Sequence, residues 1–523
     1  MENVKRWKFT RPEVLEIVDS PTLTVDVFIT CRNGQAKLDL VLAALSLQNY
    51  PENLTNIHVI DDGSSPKLVL PKIRPDNSTL HYYENKRGNW GKSKSTNFFA
   101  RNSKADVLWF LDSDMIVEPS HLSHHMKWHH QAMDYVVLGW KKFAEDWNYD
   151  AHSLVTSLKN TNFHEIYSGI GRNKYWEAVV KRSDQLRNDD LQNFRTLVGA
   201  TFSISNQNWQ SIGGYDENFV TAEDTELGWR CILQGMRFVP ERDAQSWHLG
   251  LSTMHKNRDV VQNHNNPLVA NKIPALKFLR STSGLKLAVP ENEFLIDCRF
   301  ITSVIFFELI QPLLKESGDL NKFCLLANWS KLADRYSLAD DEYKDLRAIQ
   351  RWCENDERFE FETIDTISYL PIDTVLQLIE VRSTPFYFFI EGNLKFGDSA
   401  QQLKESRLQS GNGLEGIVDS EGNRFFISYA PAISVAKRAS GSTYKNIAEF
   451  WGVHWSDSKN SLTDNPSKSK KLLPLSLLLL IRHYYRILST VESFDELRFL
   501  IRRRLMICKD KLFKKGKDQK LSS

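Results

Sequence analysis

ADVLWFLDSDMIVEP, residues 105–119, decides how the rest of the chain is read. An apolar run from Val107 to Leu111 ends abruptly in Asp112, Ser113 and Asp114, then resumes with Met115, Ile116 and Val117. An unbroken run of this length, without alternation, reads as a strand buried on both faces. Two carboxylates at its end repel each other and lose solvation, so a cation or water has to stand near them.

The flanking segments supply the setting. TVDVFIT (24–30) and IHVIDDGS (57–64) read as strands, while AKLDLVLAALSLQ (36–48) and SKSTNFFARNS (93–103) read as helices. Strands alternating with helices imply a parallel sheet covered on both faces, with ligands gathering at the carboxyl ends of its strands. The polar endings FIT-CRNG, VI-DDGS and FL-DSD all fall at such ends, which puts Asp61, Asp62, Asp112 and Asp114 on one rim. Residues 118–195 are more irregular and are expected to shape the acceptor side. Farther on, Gly199 and Ala200 permit close backbone approach, Gly213-Gly214 marks a tight turn, and Glu223-Asp224 opens an amphipathic helix.

Composition narrows the function classes. Lys+Arg 67 against Asp+Glu 65 leaves a net charge of +2, so no basic field points to nucleic acid. The cysteines are scattered without a C-x-x-C pair and the N-terminus lacks the apolar stretch of a signal peptide, which suits a cytoplasmic protein. LLPLSLLLLI (472–481) is too short to span a bilayer, which takes about 20 residues. The basic stretch after it, with Leu, Ile and Phe at helical spacing, reads as a peripheral helix for an anionic membrane surface.

The division expected is 1–275 for the first domain, 290–460 for a second α/β domain, and 470–523 for the basic helical tail. NRDVVQNHNNP (257–267) reads as a loop. RFITSVIFFELI (299–310) is expected to echo the first strand, and PFYFFIEGNLKF (385–396) to echo VLWFLDSDMIV, making the second half a degenerate copy of the first. HLSHHMKWHH places His121, His125 and His129 four apart; a polar helix face is the expected reading, with zinc the alternative.

Oxygen ligands on a rim suit Mg²⁺ or Mn²⁺, which complete their shells with water and phosphate oxygens. In VFITCRNG, VIDDGSS, NWGKSKSTN, FLDSDMIVEP and GGYDENFVTAEDTELGWRCILQG, segment 24–250 resembles a family 2 glycosyltransferase of the GT-A fold, a Rossmann-like α/β architecture. The last block is also similar to bacterial chondroitin-type polymerases. The resemblance implies inverting transfer from a UDP-sugar to a hydroxyl of a glycan or glycoconjugate, in making a bacterial surface polysaccharide such as capsule or lipopolysaccharide. It implies Thr30, Arg32, Asp61 or Asp62, Lys92, Asp112 and Ser113 as nucleotide-sugar contacts, Asp114 and His248 as metal ligands, and Asp224 beside Glu223 as the general base. His255 and His264 are the runners-up to His248. Two enzyme alternatives stand beside this reading, a bifunctional synthase and a sugar nucleotidyltransferase, together with a non-enzymatic glycan-binding scaffold.

Overall fold

The computed structural model describes residues 11–457, apart from 85–90, 252–257, 280–288, 318–319, 335–336, 382–383, 392–398 and a few single positions. The basic tail and the apolar run at 472–481 lie outside the described residues. Among those described, no helix is long and apolar enough to cross a membrane.

The first sheet is built from β1 (Val25–Cys31), β2 (Thr55–Asp61), β3 (Ser78–Tyr82), β4 (Val107–Leu111), β5 (Met115–Val117), β6 (Tyr135–Ala144), β7 (Gly169–Arg172), β8 (Thr201–Ser205) and β9 (Arg237–Leu249). Its order is β3-β2-β1-β4-β8-β6-β9-β5, with β7 alongside β6. β1 to β4 are mutually parallel; β8 runs antiparallel to β4 and to β6, and β9 parallel to β6. β4 is buried along its whole length, so its side chains supply core on both faces. Helix α1 (Gln35–Leu45) lays Leu38, Val41, Leu42 and Leu45 on the core at helical spacing. Because β1 and β2 pair Cys31 with Asp61, and β4 lies on the other side of β1, their carboxyl ends form one edge.

Helix α3 (His121–Gln131) corrects the reading of its histidines. They form neither a solvated face nor a described metal cluster; His121, His125 and His129 are all buried. Thr201 and Ser203 of β8 receive them: His121 Nε2 lies 2.9 Å from the Thr201 hydroxyl, while His125 Nδ1 and His129 Nε2 lie 2.9 and 2.8 Å from that of Ser203. A spacing of four puts the imidazoles on one helical face, and the hydroxyls beneath let that face be the buried one.

The second sheet holds β10 (Asn292–Asp297), β11 (Asn321–Ala327), β12 (Phe359–Thr363), β13 (Phe386–Ile390), β14 (Leu414–Val418), β15 (Arg424–Tyr429) and β16 (Val453–Asp457). Its order is β12-β11-β10-β13-β15-β14-β16. Here too four parallel strands lead to one antiparallel strand, a second antiparallel to that, and a last one parallel to its neighbour. β13 is the expected echo of β4. The echo of β1, however, is Asn292–Asp297; the stretch 299–310 mostly enters the helix Ser303–Ser317. Apolar residues in unbroken runs fit a buried helix as well as a strand, and length decides between them.

Of the loop expected at 257–267, the described residues 258–267 are helical, within Arg258–Lys272 despite Pro267. Tertiary ties outweigh its poor local propensity: Thr221 donates to Asn265 at 2.7 Å and Lys272 pairs with Asp216 at 2.6 Å. Both sheets belong to one compact unit. The helix Ala430–Arg438 packs where the helix Glu223–Leu233 ends, with Ser434 donating to the Leu233 carbonyl at 2.9 Å. Gly235, at φ +71°, is needed there, since a Cβ would stand 2.4 Å from Val435.

Burial pushes His121 and His129 down to about 3 and lowers His125 well below its ordinary value. The folded state therefore resists protons that the unfolded chain takes up below about pH 6.5. Stability is full above that pH and falls as pH drops toward 3, by up to ~1.4 kcal/mol per pH unit for each histidine. Denaturant midpoints at pH 7.5, 6.0 and 5.0 measure this; a flat series would remove the neutral-histidine account.

Candidate active site

The rim begins with two adjacent acids that do different work. Asp61 is buried and spends both oxygens on its own turn, accepting from Ser64 N at 2.7 Å and Leu68 N at 2.9 Å. Asp62 is buried too; Oδ2 meets a backbone donor, Gly91 N at 3.3 Å, the Ser95 side chain also bonds the carboxylate, and Oδ1 has no hydrogen-bond partner among the described residues. Burial raises the Asp62 carboxyl. An unmatched buried acceptor is costly unless a ligand supplies the donor, which singles out Asp62 rather than Asp61. Thr30 shares a hydroxyl contact of 2.8 Å with Thr96, and Arg32 lies exposed beyond the strand end, its charge acting on Asp62.

At the end of β4, Asp112 N donates to Ala200 O at 2.9 Å, and a turn closed by Met115 N on Asp112 O leads into β5. Lys92, the first residue of α2 (Lys92–Ala100), pairs with Asp112 and donates to Gly199 O at 3.0 Å. Burial presses this ammonium down, but Asp112, Glu223 and Asp224 outweigh it and hold Lys92 above its ordinary value. Gly199 also donates to Asp224 Oδ2 at 3.0 Å, so one small residue ties Lys92 to the helix Glu223–Leu233. Ser113 bonds the Cys31 thiol.

Asp114 stands between three elements. Its Oδ2 lies 3.2 Å from Lys37 Nζ of α1, and its Oδ1 lies 3.6 Å from His248 Nε2 on β9. β5 and β9 pair Met115 with His248, which brings the imidazole to the turn. His248 Nδ1 faces Gly250 O at 2.7 Å and so carries the proton, leaving the Nε2 lone pair toward Asp114. Burial lowers His248, which favours this neutral form. A divalent cation with bonds of about 2.1 Å holds neighbouring ligands about 3 Å apart, so a carboxylate and a neutral imidazole at this separation fit one. Of the runners-up, His264 is exposed on its helix, and His255 lies outside the described residues.

Glu223 and Asp224 open their helix after Ala222, whose φ of +66° turns the chain sharply. Asp224 Oδ1 accepts from Thr225 N at 2.7 Å, so its carboxylate is fixed from two sides. Glu223 is pushed up to about 8, by burial first and then by Asp224, against the pull of Lys92.

Two lysines at this rim carry no sequence motif. Lys37 also donates to Leu249 O at 2.6 Å and lies 4.9 Å from the Trp147 ring centre. Lys141 on β6 is lowered by burial, although Asp112, Asp224 and Asp114 oppose the shift. In the sequence both read as ordinary charges; only the sheet order brings them to the acids. A separate group, His124, Glu241 and Asp243, has ligand atoms within 4.8 Å of one another. Lys127 Nζ lies 3.2 Å from Glu241 and 3.3 Å from His124 Nδ1, much as Lys37 stands beside Asp114.

Comparison with known proteins bears on the first sheet. Residues 26–184 match the family model described as Glycosyl transferase family 2. An uncharacterized glycosyltransferase, YfnE of Bacillus subtilis (strain 168), is 25% identical over 256 residues, covering 43% of this chain and 64% of that protein. The chain thus spans less than two thirds of that relative's length. Among solved structures, S. aureus TarS overlaps at a TM-score of 0.31 with 15% identity, covering 47% of this chain and 40% of that one. The Pyrobaculum calidifontis mannosyltransferase PcManGT, solved with GDP-Man and Mn2+, overlaps at 0.32 with 14% identity, covering 50% and 66%. The family model thus falls on β1 through β7, the segment whose strand ends carry the paired acids, and that segment is similar to family 2 glycosyltransferases.

Proposed function

We propose that the chain transfers a sugar from a UDP-sugar to a hydroxyl of a glycan or glycoconjugate, with inversion, in building a bacterial-type surface polysaccharide such as capsule or lipopolysaccharide. The observation that carries this reading is the convergence of Asp62, Asp112, Asp114, His248 and the Glu223-Asp224 pair on one sheet edge. Asp62 Oδ1, buried without a partner among the described residues, accepts from the uracil N–H or a ribose hydroxyl. Thr30, Arg32 and Ser113 line the nucleotide side, and Lys92 holds Asp112 toward the ribose or sugar. Asp114 and His248 are the ligands for Mn²⁺ or Mg²⁺, which when bound neutralises charge on the departing diphosphate.

Asp224 takes the proton from the acceptor hydroxyl as that oxygen attacks the anomeric carbon and UDP leaves from the opposite side. A single displacement of this kind inverts the anomeric centre. Glu223 is less suited to the task, because burial beside Asp224 raises its carboxyl and favours the protonated form. The basic tail is assigned to an anionic membrane surface at the cytoplasmic face.

Asp224→Asn is expected to lower kcat by ~10³-fold or more with UDP affinity retained, whereas Glu223→Gln, a neutral isostere of the protonated acid, keeps most of the rate. Steady-state kinetics with a UDP-sugar and its acceptor read both; the reverse ranking would transfer the base to Glu223. Calorimetric titration of UDP should show binding strengthened by Mn²⁺, and Asp114→Asn or chelator should abolish that gain. UDP affinity indifferent to both would take Asp114 out of the metal site.

A further inference from the structure

Sheet register aligns the two sheets residue by residue. In the first, Leu111 pairs with Thr201, and the next residue, Asp112, donates its N–H to Ala200 O at 2.9 Å. In the second, Ile390 pairs with Phe425, and the next residue, Glu391, donates its N–H to Arg424 O at 3.0 Å. Glu391 therefore occupies the place of Asp112, and Arg424 the place of Ala200.

What stands there differs in kind. Ala200 offers Asp112 only a methyl group, and the charge there comes from Lys92 on α2. Arg424 supplies it from the neighbouring strand itself, gripping Glu391 through Nε and a terminal nitrogen, both at 2.7 Å, and donating also to Leu370 O at 2.5 Å. The Glu391 side chain is wholly buried. A second guanidinium does the same at the end of β10, where Arg299 holds the buried Asp297 at 2.9 and 2.7 Å and donates to Thr366 O and Ser368 O. Bidentate pairs of this geometry engage both oxygens of each carboxylate and set a fixed positive charge where a metal would have to approach.

We propose that the Arg424 guanidinium takes up, in the second sheet, the strand-end carboxylate whose counterpart in the first sheet stands beside the metal-nucleotide, so that the chain binds one metal-nucleotide, at the Asp112–Asp114 turn, and the second sheet is an accessory copy without a donor. The identity of the nucleotide rests on the function proposed above; the sealing by Arg424 does not.

Two measurements on the full chain test this. The first counts sites with Mn²⁺ by electron paramagnetic resonance and UDP by calorimetry. One site in the wild type and none in Asp114→Asn is the expected result; two sites, or one surviving in Asp114→Asn, overturns the proposal. Bound Mn²⁺ at one site without UDP would sink the donor reading while agreeing with the seal.

The second works in the Asp114→Asn background, where the first sheet no longer responds to metal. There Arg424→Ala leaves Glu391 buried and uncompensated, so the thermal midpoint should fall, and millimolar Mn²⁺ should restore part of the loss. Adding Glu391→Gln should abolish that recovery. Arg424→Gln, which keeps an N–H for Glu391 but no charge, reads the same response should the alanine variant not fold. A midpoint that Mn²⁺ leaves unmoved in these Arg424 variants overturns the view that the guanidinium stands in for a cation.

Discussion

Asp112 leaves β4 against Lys92, and Asp114 enters β5 against Lys37 and His248. The parallel arrangement imposes the problem these contacts solve. Strands buried on both faces bring their ends together at one edge, and each acid placed there loses water while gaining an anionic neighbour. Positive charge has to arrive from elements far apart in the chain. Here it comes from Lys37 in the first turn of α1 and Lys92 at the start of α2, so the edge can form only when these elements have come together. The constraint links fold to chemistry, because the field that holds the acids in place also attracts and orients a diphosphate and its cation.

The two sheets answer the same constraint in opposite ways. In the first, Gly199 and Ala200 add almost no side chain beside Asp112, and Lys92 approaches on a flexible stem that can follow a ligand. A Cβ on Gly199 would stand 3.4 Å from Lys92 Nζ, in contact with the end of that flexible stem. In the second, a planar guanidinium locks onto a buried carboxylate in two directions, and that pair loses heavily if either partner is removed. One arrangement leaves part of the electrostatic balance to a ligand; the other closes it within the protein.

Sequence reading recovered what rests on local pattern. β1, β2 and β4 announce themselves by apolar runs ending in polar turns, and Glu223-Asp224 marks a helix start by its charge. What escaped depends on partners that local pattern does not contain. The 299–310 stretch is as apolar as a strand, but its length and its contact with Asp345, which accepts from Ser303 N at 2.8 Å, make it a helix. The histidines of α3 look solvated until β8 supplies hydroxyls beneath them. Lys37 and Lys141 sit among apolar or unremarkable neighbours, and only the order β1-β4-β8-β6 makes them residues of the rim. Arg424 was equally silent, since its meaning lies in the register that sets it opposite Glu391.

Adjacent acids at this edge divide their roles by environment rather than by type. Asp61 and Asp62 differ by one position, yet the first is consumed by two backbone donors of its turn and the second keeps a buried oxygen unmatched. Glu223 and Asp224 are separated in the same manner: burial beside another acid raises Glu223, while Gly199 N and Thr225 N fix the Asp224 carboxylate. Backbone donors are what tell the members of each pair apart, because they hold one carboxylate in a defined orientation without neutralising it. A motif of paired acids thus names a place in the fold. Which member does the chemistry is decided by the hydrogen bonds that the turn or helix start happens to direct at each.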